Sequence, residues 1–348
     1  MAEQKKEWLD VMDEAKRQGV SQARVCRTVG LTVRRIERWR RWNQTGRGLT
    51  DGRPGPRQAP HRLLSEEKQS IVSYACREEN VDLASRIVAY RGLDRGELAA
   101  SPSSLYRTLV NFGLTSPRGK ARRARSGGAA PVREELTGPN QRWCWDITYL
   151  RTPVKYSFLY LYLMLDEWSR KELAWLIATV ESSELGKELL DRALEAEGLW
   201  LGEGPRPVVV NDRGPSMKAK TLQQFFADLG VHQVFARPRT PDDNPFIEAA
   251  FRTVKYHPDY PDFFTGEDHA QTYFHGFFPW YNHEHLHSAI GHVPPAVKHA
   301  GLDGEIQKHR RERLEEARSR RLEVNRRALK NRIVGTSLLQ PICSLNPL

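Results

Sequence analysis

The sequence predicts an α/β core on a mixed sheet, preceded by all-α modules, and three observations carry that reading. Three strand-length runs follow one another between residues 142 and 180, and from there to about residue 300 helix and strand patterns alternate. A meander followed by alternating units makes a mixed sheet with helices on both faces. Near the start of the chain, a short helical run, a glycine turn and an arginine-dense helical run come in succession.

Residues 4–43 read as three helices. Ser21 is placed to cap the second, which runs from Gln22 to Val29 and stops at Gly30. Leu31 and Thr32 lead into the third, with Ile36 and Trp39 on its inner face and Arg34, Arg35, Arg38, Arg40 and Arg41 around them. The pattern, spanning 1–44, suits a helix-turn-helix whose second helix enters the DNA major groove. A small bundle with a solvated basic face is the alternative. The stretch 45–63 is rich in Gly, Pro and Arg, either a tether or a chain that follows phosphates. Residues 64–116 read as a second helical module, for DNA or for a protein partner. Ser65-Glu66-Glu67 opens one helix through Cys76; Ser101 or Ser103 caps another, which carries Leu105, Tyr106, Leu109 and Phe112 and ends at Gly113. A basic linker, 117–138, contains Arg118, Lys120, Arg122, Arg123 and Arg125.

The core domain, 139–300, starts with strands near 142–151, 156–165 and 171–180, with turn residues at Asp166 to Arg170. A helix from Ser183 to Glu197 precedes a Val208–Asn211 strand, then a helix near Met217–Leu229 and a strand over Val231–Ala236. After a loop to Asp243 come a helix holding Glu248 and another over Tyr273–Tyr281. The tail, 301–348, carries a basic helix pattern with glutamates spaced for i,i+4 pairing, so a solvated helix is expected and a DNA or subunit contact is the minor reading.

Among 348 residues, 39% are hydrophobic and 28% charged, enough apolar material for a core, and a net charge of +11 favours a polyanionic partner. The four cysteines, Cys26, Cys76, Cys144 and Cys343, have no CxxC spacing, which argues against a zinc site or a disulfide framework. The start lacks the apolar stretch of a signal peptide, and no run approaches a membrane span. A soluble, cytoplasmic, nucleoid-associated protein is expected.

The chemistry concentrates in three acids. Asp146 lies inside the run Trp143-Cys144-Trp145-Asp146-Ile147-Thr148, where a charge is costly to bury unless it is paired or binds a metal. Asp212 ends the β-branched run Val208-Val209-Val210-Asn211. With thirty-five residues between them, Asp212 is followed by Glu248 on a helix that Asn244 can cap and that Pro245 can open. Glu248, Arg252 and Lys255 share one helical face, and Phe246, Ala250 and Val254 another. A carboxylate followed by cations one and two turns later suits a metal ion beside a phosphate. Asp166 and Glu167 read as turn residues, Asp242 and Asp243 as helix-start acids, and Trp143, Trp145 and Trp175 as core. His283, His285, His287 and His292, without cysteine partners, read as a helix end facing DNA or solvent.

From about Arg142 to Ala300 the chain resembles the catalytic core of insertion-sequence-3-type transposases, in the retroviral-integrase superfamily. The matching pieces are Trp145-Asp146-Ile147-Thr148-Tyr149, Asp166 with Ser169-Arg170 and Trp175, Asp212-Arg213-Gly214, Asp243-Asn244 with Glu248, Phe251 and Lys255, and Tyr281-Asn282 with His287-Ser288 and Pro294. Pro245, Ala174 and His285 depart from the usual pattern and leave the three acids in place.

The resemblance implies an RNase H-like core with Asp146, Asp212 and Glu248 as a catalytic triad holding two Mg²⁺ ions, with Mn²⁺ able to replace them. Asp146 would bridge two ions about 3.5–4 Å apart. It implies cleavage that exposes a 3′-OH and transfer of that hydroxyl to a second DNA. Lys255, Arg252 and Asn244 would contact DNA near the acids, and Arg34, Arg35 and Arg38 would read it in the N-terminal module. Partners would be the terminal inverted repeats of a mobile element, target DNA and further copies of the chain. Two other readings stand beside this one: a catalytically silent, domesticated DNA-binding regulator, and an RNase H-like nuclease without strand transfer.

Overall fold

In the computed structural model the described residues are 2–46, 48–49, 59–115, 134–200, 204–212, 214–236 and 244–337, with side chains to 328. Most of the two expected linkers, Arg213, and the loop holding Asp242 and Asp243 lie outside them. The chain divides into two compact units, 1–62 and 63–348.

The first unit holds α1 (Ala2–Arg17), α2 (Gln22–Thr28) and α3 (Val33–Gln44). Leu9, Met12, Cys26, Ile36 and Trp39 pack together between them. Gly30 takes the left-handed turn between α2 and α3 with φ +68°, a conformation costly for any residue with a Cβ. Ser21 stands at the N-cap of α2 but its side chain makes no capping bond, a correction to the expected cap. Arg34, Arg35 and Arg38 are exposed on α3. Arg40 instead turns inward, to Asp13 at 2.5 Å and Gln22 at 3.2 Å, and so braces the bundle.

The second unit opens with α4 (Ser65–Ala75), α5 (Ser85–Asp94) and α6 (Pro102–Asn111), around Ile71, Tyr74, Val88, Leu105 and Leu109. Ser101 caps α6 by accepting from the Ser104 amide. Tyr106 and Phe112, expected beside the buried leucines, are about half exposed at 52% and 53%. The sequence reading does not contain α5, whose N-cap makes no side-chain bond and whose interior holds Gly92. That glycine is a packing device: a Cβ there would fall 2.8 Å from Leu98.

The sheet has strand order β3-β2-β1-β4-β5, from β1 (Arg142–Arg151), β2 (Phe158–Asp166), β3 (Glu172–Ala178), β4 (Val208–Asn211) and β5 (His232–Phe235). β1–β2 and β2–β3 are antiparallel, β1–β4 and β4–β5 parallel. This is the mixed sheet of an RNase H-like α/β core. Side chains alternate across it. Trp143, Trp145, Tyr162 and Met164 pack on α7 (Ser183–Ala196) and α8 (Lys220–Asp228), while Cys144, Leu150, Leu161 and Leu163 pack on α9 (Pro245–Lys255) and α10 (Glu267–His283). Each such buried side chain contributes about 1.5–3 kcal/mol. Gly186 lets α7 approach closely, since a Cβ there would come within 3.2 Å of Trp145.

Two elements differ from expectation. α10 starts at Glu267, six residues before Tyr273, with Glu267 and Asp268 in its first turn. Pro279 sits inside it, and the packed rings of Phe274, Phe277, Phe278 and Tyr281 hold the helix across the missing N–H. The tail is α12 (Asp303–Ser337), which follows the short α11 (Pro295–His299). It is not wholly solvated: Arg310 and Arg321 are 4% and 8% exposed.

Candidate active site

Asp146 occupies the middle of β1, on the face shared by Cys144 and Thr148. β4 pairs with β1 from Arg142↔Val208 to Cys144↔Val210 and stops at Asn211. Carrying that register on by two places sets Asp212 level with Asp146. One oxygen of each acid is held by backbone: Ile147 N–H donates to Asp146 at 2.8 Å, and Gly214 N–H to Asp212 at 2.8 Å.

Glu248 comes from the first turn of α9, which is tied to β1 at both ends. Asn244 Nδ2 donates to the Trp145 carbonyl at 3.5 Å, and Lys255 Nζ donates to Thr148 Oγ1 at 2.7 Å. The apolar side of α9 buries Ile247, Ala250, Phe251 and Val254. That leaves Glu248, Arg252 and Lys255 exposed together.

Electrostatics joins the acids into one site. Burial raises the Asp146 carboxyl from 3.8 to about 7, and the charges of Asp212, Glu248 and Glu181 push the same way, against the Ile147 hydrogen bond. Burial lowers the Lys255 ammonium, helped by the charge of Arg151 and opposed by Asp146. Sequence reasoning missed Glu181. It lies between β3 and α7, beside the Ser182 N-cap, and its carboxylate accepts from Ser216 Oγ at 2.6 Å. In sequence it looks like one more acid at a helix start.

Among the described residues no three His, Cys, Asp or Glu side chains are gathered tightly enough to hold an ion. The chemistry of Asp146, Asp212 and Glu248 fits a hard divalent cation: every donor is a carboxylate oxygen, and such an ion would favour the charged form of Asp146, which burial first and the neighbouring acids second disfavour.

Asn244 departs from its expected role as a helix cap. It stands at the N-cap of α9 without a capping hydrogen bond, is 6% exposed, and its Oδ1 is buried without a partner among the described residues. Its side chain is turned to β1, one residue from Asp146, so it positions the helix start. Arg34, Arg35 and Arg38 belong to the first unit, where Arg35 and Arg38 lie over the rings of Trp39 and Trp42 at 5.9 and 5.4 Å.

The histidines also differ from expectation. His283 is exposed, but His285 stacks on Tyr281 at 5.4 Å and His292 on Tyr90 at 4.7 Å. Burial, with the neighbouring imidazoles, pushes His285 and His287 down to about 4. They are neutral packing groups. Asp166 is a turn residue, accepting from the Ser169 amide and hydroxyl at 2.7 Å and from the Asn140 amide at 2.8 Å.

Two family models, each described as an integrase core domain, match residues 137–241 and 229–295. Transposase InsF for insertion sequence IS3A of Escherichia coli (strain K12) is 29% identical over 174 residues, 47% of this chain and 58% of that protein. The transposase for insertion sequence element IS904 of Lactococcus lactis subsp. lactis (strain IL1403) is 29% identical over 164 residues, 46% of this chain and 62% of that protein. The chain thus spans about 58–62% of the length of these curated relatives. The simian T-cell lymphotropic virus intasome in complex with PP2A regulatory subunit B56 gamma overlaps 57% of this chain and 67% of its own, at 19% identity and TM-score 0.39. No described helix is long and apolar enough to cross a membrane. Residues 137–295 thus match integrase core domain models, and the chain is similar over that stretch to insertion-sequence-3-type transposases.

Proposed function

We propose that the chain binds the ends of a mobile DNA element and carries out cleavage that exposes a 3′-OH, then transfer of that end to a second DNA. The observation that carries this reading is the placing of Asp212, level with Asp146 in the β1–β4 register, and of Glu248, on a helix tied to β1 on both sides of Asp146, near enough that their charges add to the burial that raises the Asp146 carboxyl to about 7. Asp146, Asp212 and Glu248 are the residues that would hold two Mg²⁺ ions. Such ions supply charge neutralisation at a phosphate and activation of the attacking oxygen.

The protein's own groups do the rest. Lys255 and Arg252, exposed beside Glu248, hold the DNA phosphate next to the acids. Asn244 and the Lys255–Thr148 bond fix α9 against β1, so Glu248 keeps its place opposite Asp146. Arg34, Arg35 and Arg38 line the exposed side of α3, the face that a helix-turn-helix lays in the major groove. The domain division into a reading module at 1–44, a second module at 64–116 and a core at 139–300 belongs to the same proposal. So does assembly of several copies on DNA, since two ends must be joined.

The test uses purified protein, Mg²⁺ and labelled duplexes from the DNA flanking the coding sequence, beside a Glu248→Gln variant. Nicking at one defined phosphate followed by joining to a second duplex, absent in the variant, is the expected result. Specific binding without cleavage would leave a regulator, and nicking without joining a nuclease; either overturns the proposal.

A further inference from the structure

The β1–β2 hairpin runs on past the acids with an aromatic face turned to solvent. β4 accompanies β1 only as far as Cys144, whereas β1 and β2 stay paired out to Arg151↔Phe158. On this two-stranded extension the Tyr149 ring lies 5.6 Å from Phe158 and 5.3 Å from Tyr160. Tyr149 is 56% exposed and Phe158 40%; at the turn, Val154 is 66% and Tyr156 82% exposed. Clustered apolar surface of this kind marks a binding site.

Charge selects the partner. Arg151 and Lys155 are exposed on the same hairpin, with the Lys155 ammonium 4.9 Å over the Tyr156 ring. No acidic residue lies between Asp146 and Asp166. A second copy docked symmetrically on this face would set these cations against themselves. Rings interleaved with cations and free of carboxylates suit the stacked bases and phosphates of a nucleic-acid strand.

We propose that the hairpin is a stacking platform for unpaired nucleotides of the DNA strand that leads away from the reacting phosphate. The proposal rests on the DNA-transferase reading above. A strand rise of about 3.3 Å per residue puts Tyr149 roughly 10 Å beyond Asp146. At about 3.4 Å per nucleotide, that is three steps along the DNA. Phe158 lies opposite Arg151, five residues out, and Tyr156 about seven, so the rings address about the third to the seventh nucleotide of a strand that crosses from Asp146 to this other face of the hairpin.

The test compares the full chain with a Tyr149→Ala, Tyr156→Ala, Phe158→Ala variant, whose replaced side chains are exposed, and with a Tyr149→Phe, Tyr156→Phe variant that keeps the rings. The probes are two duplexes from the DNA flanking the coding sequence, one fully paired and one with eight unpaired nucleotides beside the cleaved phosphate. Wild type is expected to bind the unpaired form about tenfold more tightly. The alanine variant should bind both alike, and the phenylalanine variant should keep the preference. An unchanged preference in the alanine variant overturns the platform, as does a drop in molar mass in solution, which would make the face a subunit contact. If the triple variant does not fold, Tyr156→Ala alone carries the comparison. Mg²⁺-dependent nicking by wild type is read on the same duplexes. Nicking with the preference intact in the variant overturns the platform alone, whereas wild type that neither binds nor nicks overturns the transferase reading as well.

Discussion

Lys255 donates to Thr148 Oγ1 across 2.7 Å, joining the last turn of α9 to β1 two residues beyond Asp146. The bond sets a cation on the rim of the acid site, where burial and Arg151 weaken its charged form and Asp146 supports it. Thr148 is buried, at 8% exposure, so the hydroxyl is a fixed anchor for a side chain whose stem reaches solvent.

Lys255→Met is therefore expected to weaken DNA binding about equally for all sequences. It should also reduce the slope of log affinity against log salt by about one, as loss of one phosphate contact does. Thr148→Val removes only the anchor and should cost about 0.5–1.5 kcal/mol of stability with the salt slope retained. Titrations at several salt concentrations measure both. An unchanged slope in Lys255→Met would remove this residue from the DNA contact.

Burial of the Asp146 carboxyl comes at the expense of stability. Its carboxyl sits near 7 in the folded chain against 3.8 for the free group. Between these values the folded state keeps a proton that the unfolded state has lost, so stability falls as pH rises from about 4 to about 7 and then levels. Asp146→Asn removes the penalty. The full shift corresponds to about 4 kcal/mol, and partial solvation of the site reduces the expected gain to about 1–3 kcal/mol at pH 8. No gain is expected at pH 4, and Mg²⁺ should raise the melting temperature of wild type only. Equal stabilisation at both pH values would sink this account.

Much of this was legible in local pattern. Asp146 amid tryptophans, Asp212 at the tip of a β-branched run, and Glu248, Arg252 and Lys255 on one helical face all follow from periods of two and 3.6. What stayed hidden depends on long-range pairing. Arg310 and Arg321 look like solvated charges on a basic helix, because their partners Asp94 and Glu67 stand 216 and 254 residues away. Glu181 is disguised by the N-cap next to it. His285 and His287 read as polar, and burial, with the charges of neighbouring groups, holds them neutral. Asn244 carries every local mark of a cap and is drawn instead to the Trp145 carbonyl, a contact set by the sheet.

His299 and Glu197 form a second pH-dependent element, away from the acids. His299 Nε2 lies 2.7 Å from Glu197 and its Nδ1 lies 2.9 Å from Ser169 Oγ; Lys171 Nζ approaches Glu197 at 2.6 Å and Asn140 Nδ2 at 2.9 Å. Burial works against the Glu197 charge, but these bonds bring its carboxyl down from 4.5 to about 2. Burial also opposes charge on His299, and the carboxylates of Asp166 and Glu197 outweigh it, raising the imidazole above 6.5. The Glu197 contribution is present above about pH 4.5 and is lost as pH falls towards 2. The His299 contribution is present below about 6.5 and is lost as pH rises through its raised value. His299→Gln should cost about 2 kcal/mol near pH 6 and markedly less at pH 9. Urea denaturation at the two pH values reads this; a loss that does not change with pH would mean that the imidazole acts by packing alone.

The strut α12 should hold the second helical module to the core through two independent clamps. Arg310 is 4% exposed. It donates to both Asp94 oxygens at 2.6 Å and to the carbonyls of Gly291 and His292 at 3.0 and 2.7 Å, and it lies 4.5 Å over the Tyr90 ring. Arg321 donates to both Glu67 oxygens at 3.0 and 2.8 Å and to the Ala99 carbonyl. Losing one partner of a fully buried pair costs about 3–5 kcal/mol. Because the Asp94 side chain keeps 29% of its exposure, the expected cost of Arg310→Met is smaller, about 2–3 kcal/mol. Arg310→Lys should rescue little, since an ammonium lacks the planar fork that meets both oxygens. Eleven residues of helix separate the clamps by about 16 Å, beyond the range at which neighbouring substitutions couple. The costs of Arg310→Met and Arg321→Met should therefore add in the double variant, and protease should then cut within residues 63–115 before the core. Denaturation of the two single variants and the double variant closes the cycle. A double variant no less stable than either single one would mean that the module is held by its apolar contacts and that the arginines merely accompany them.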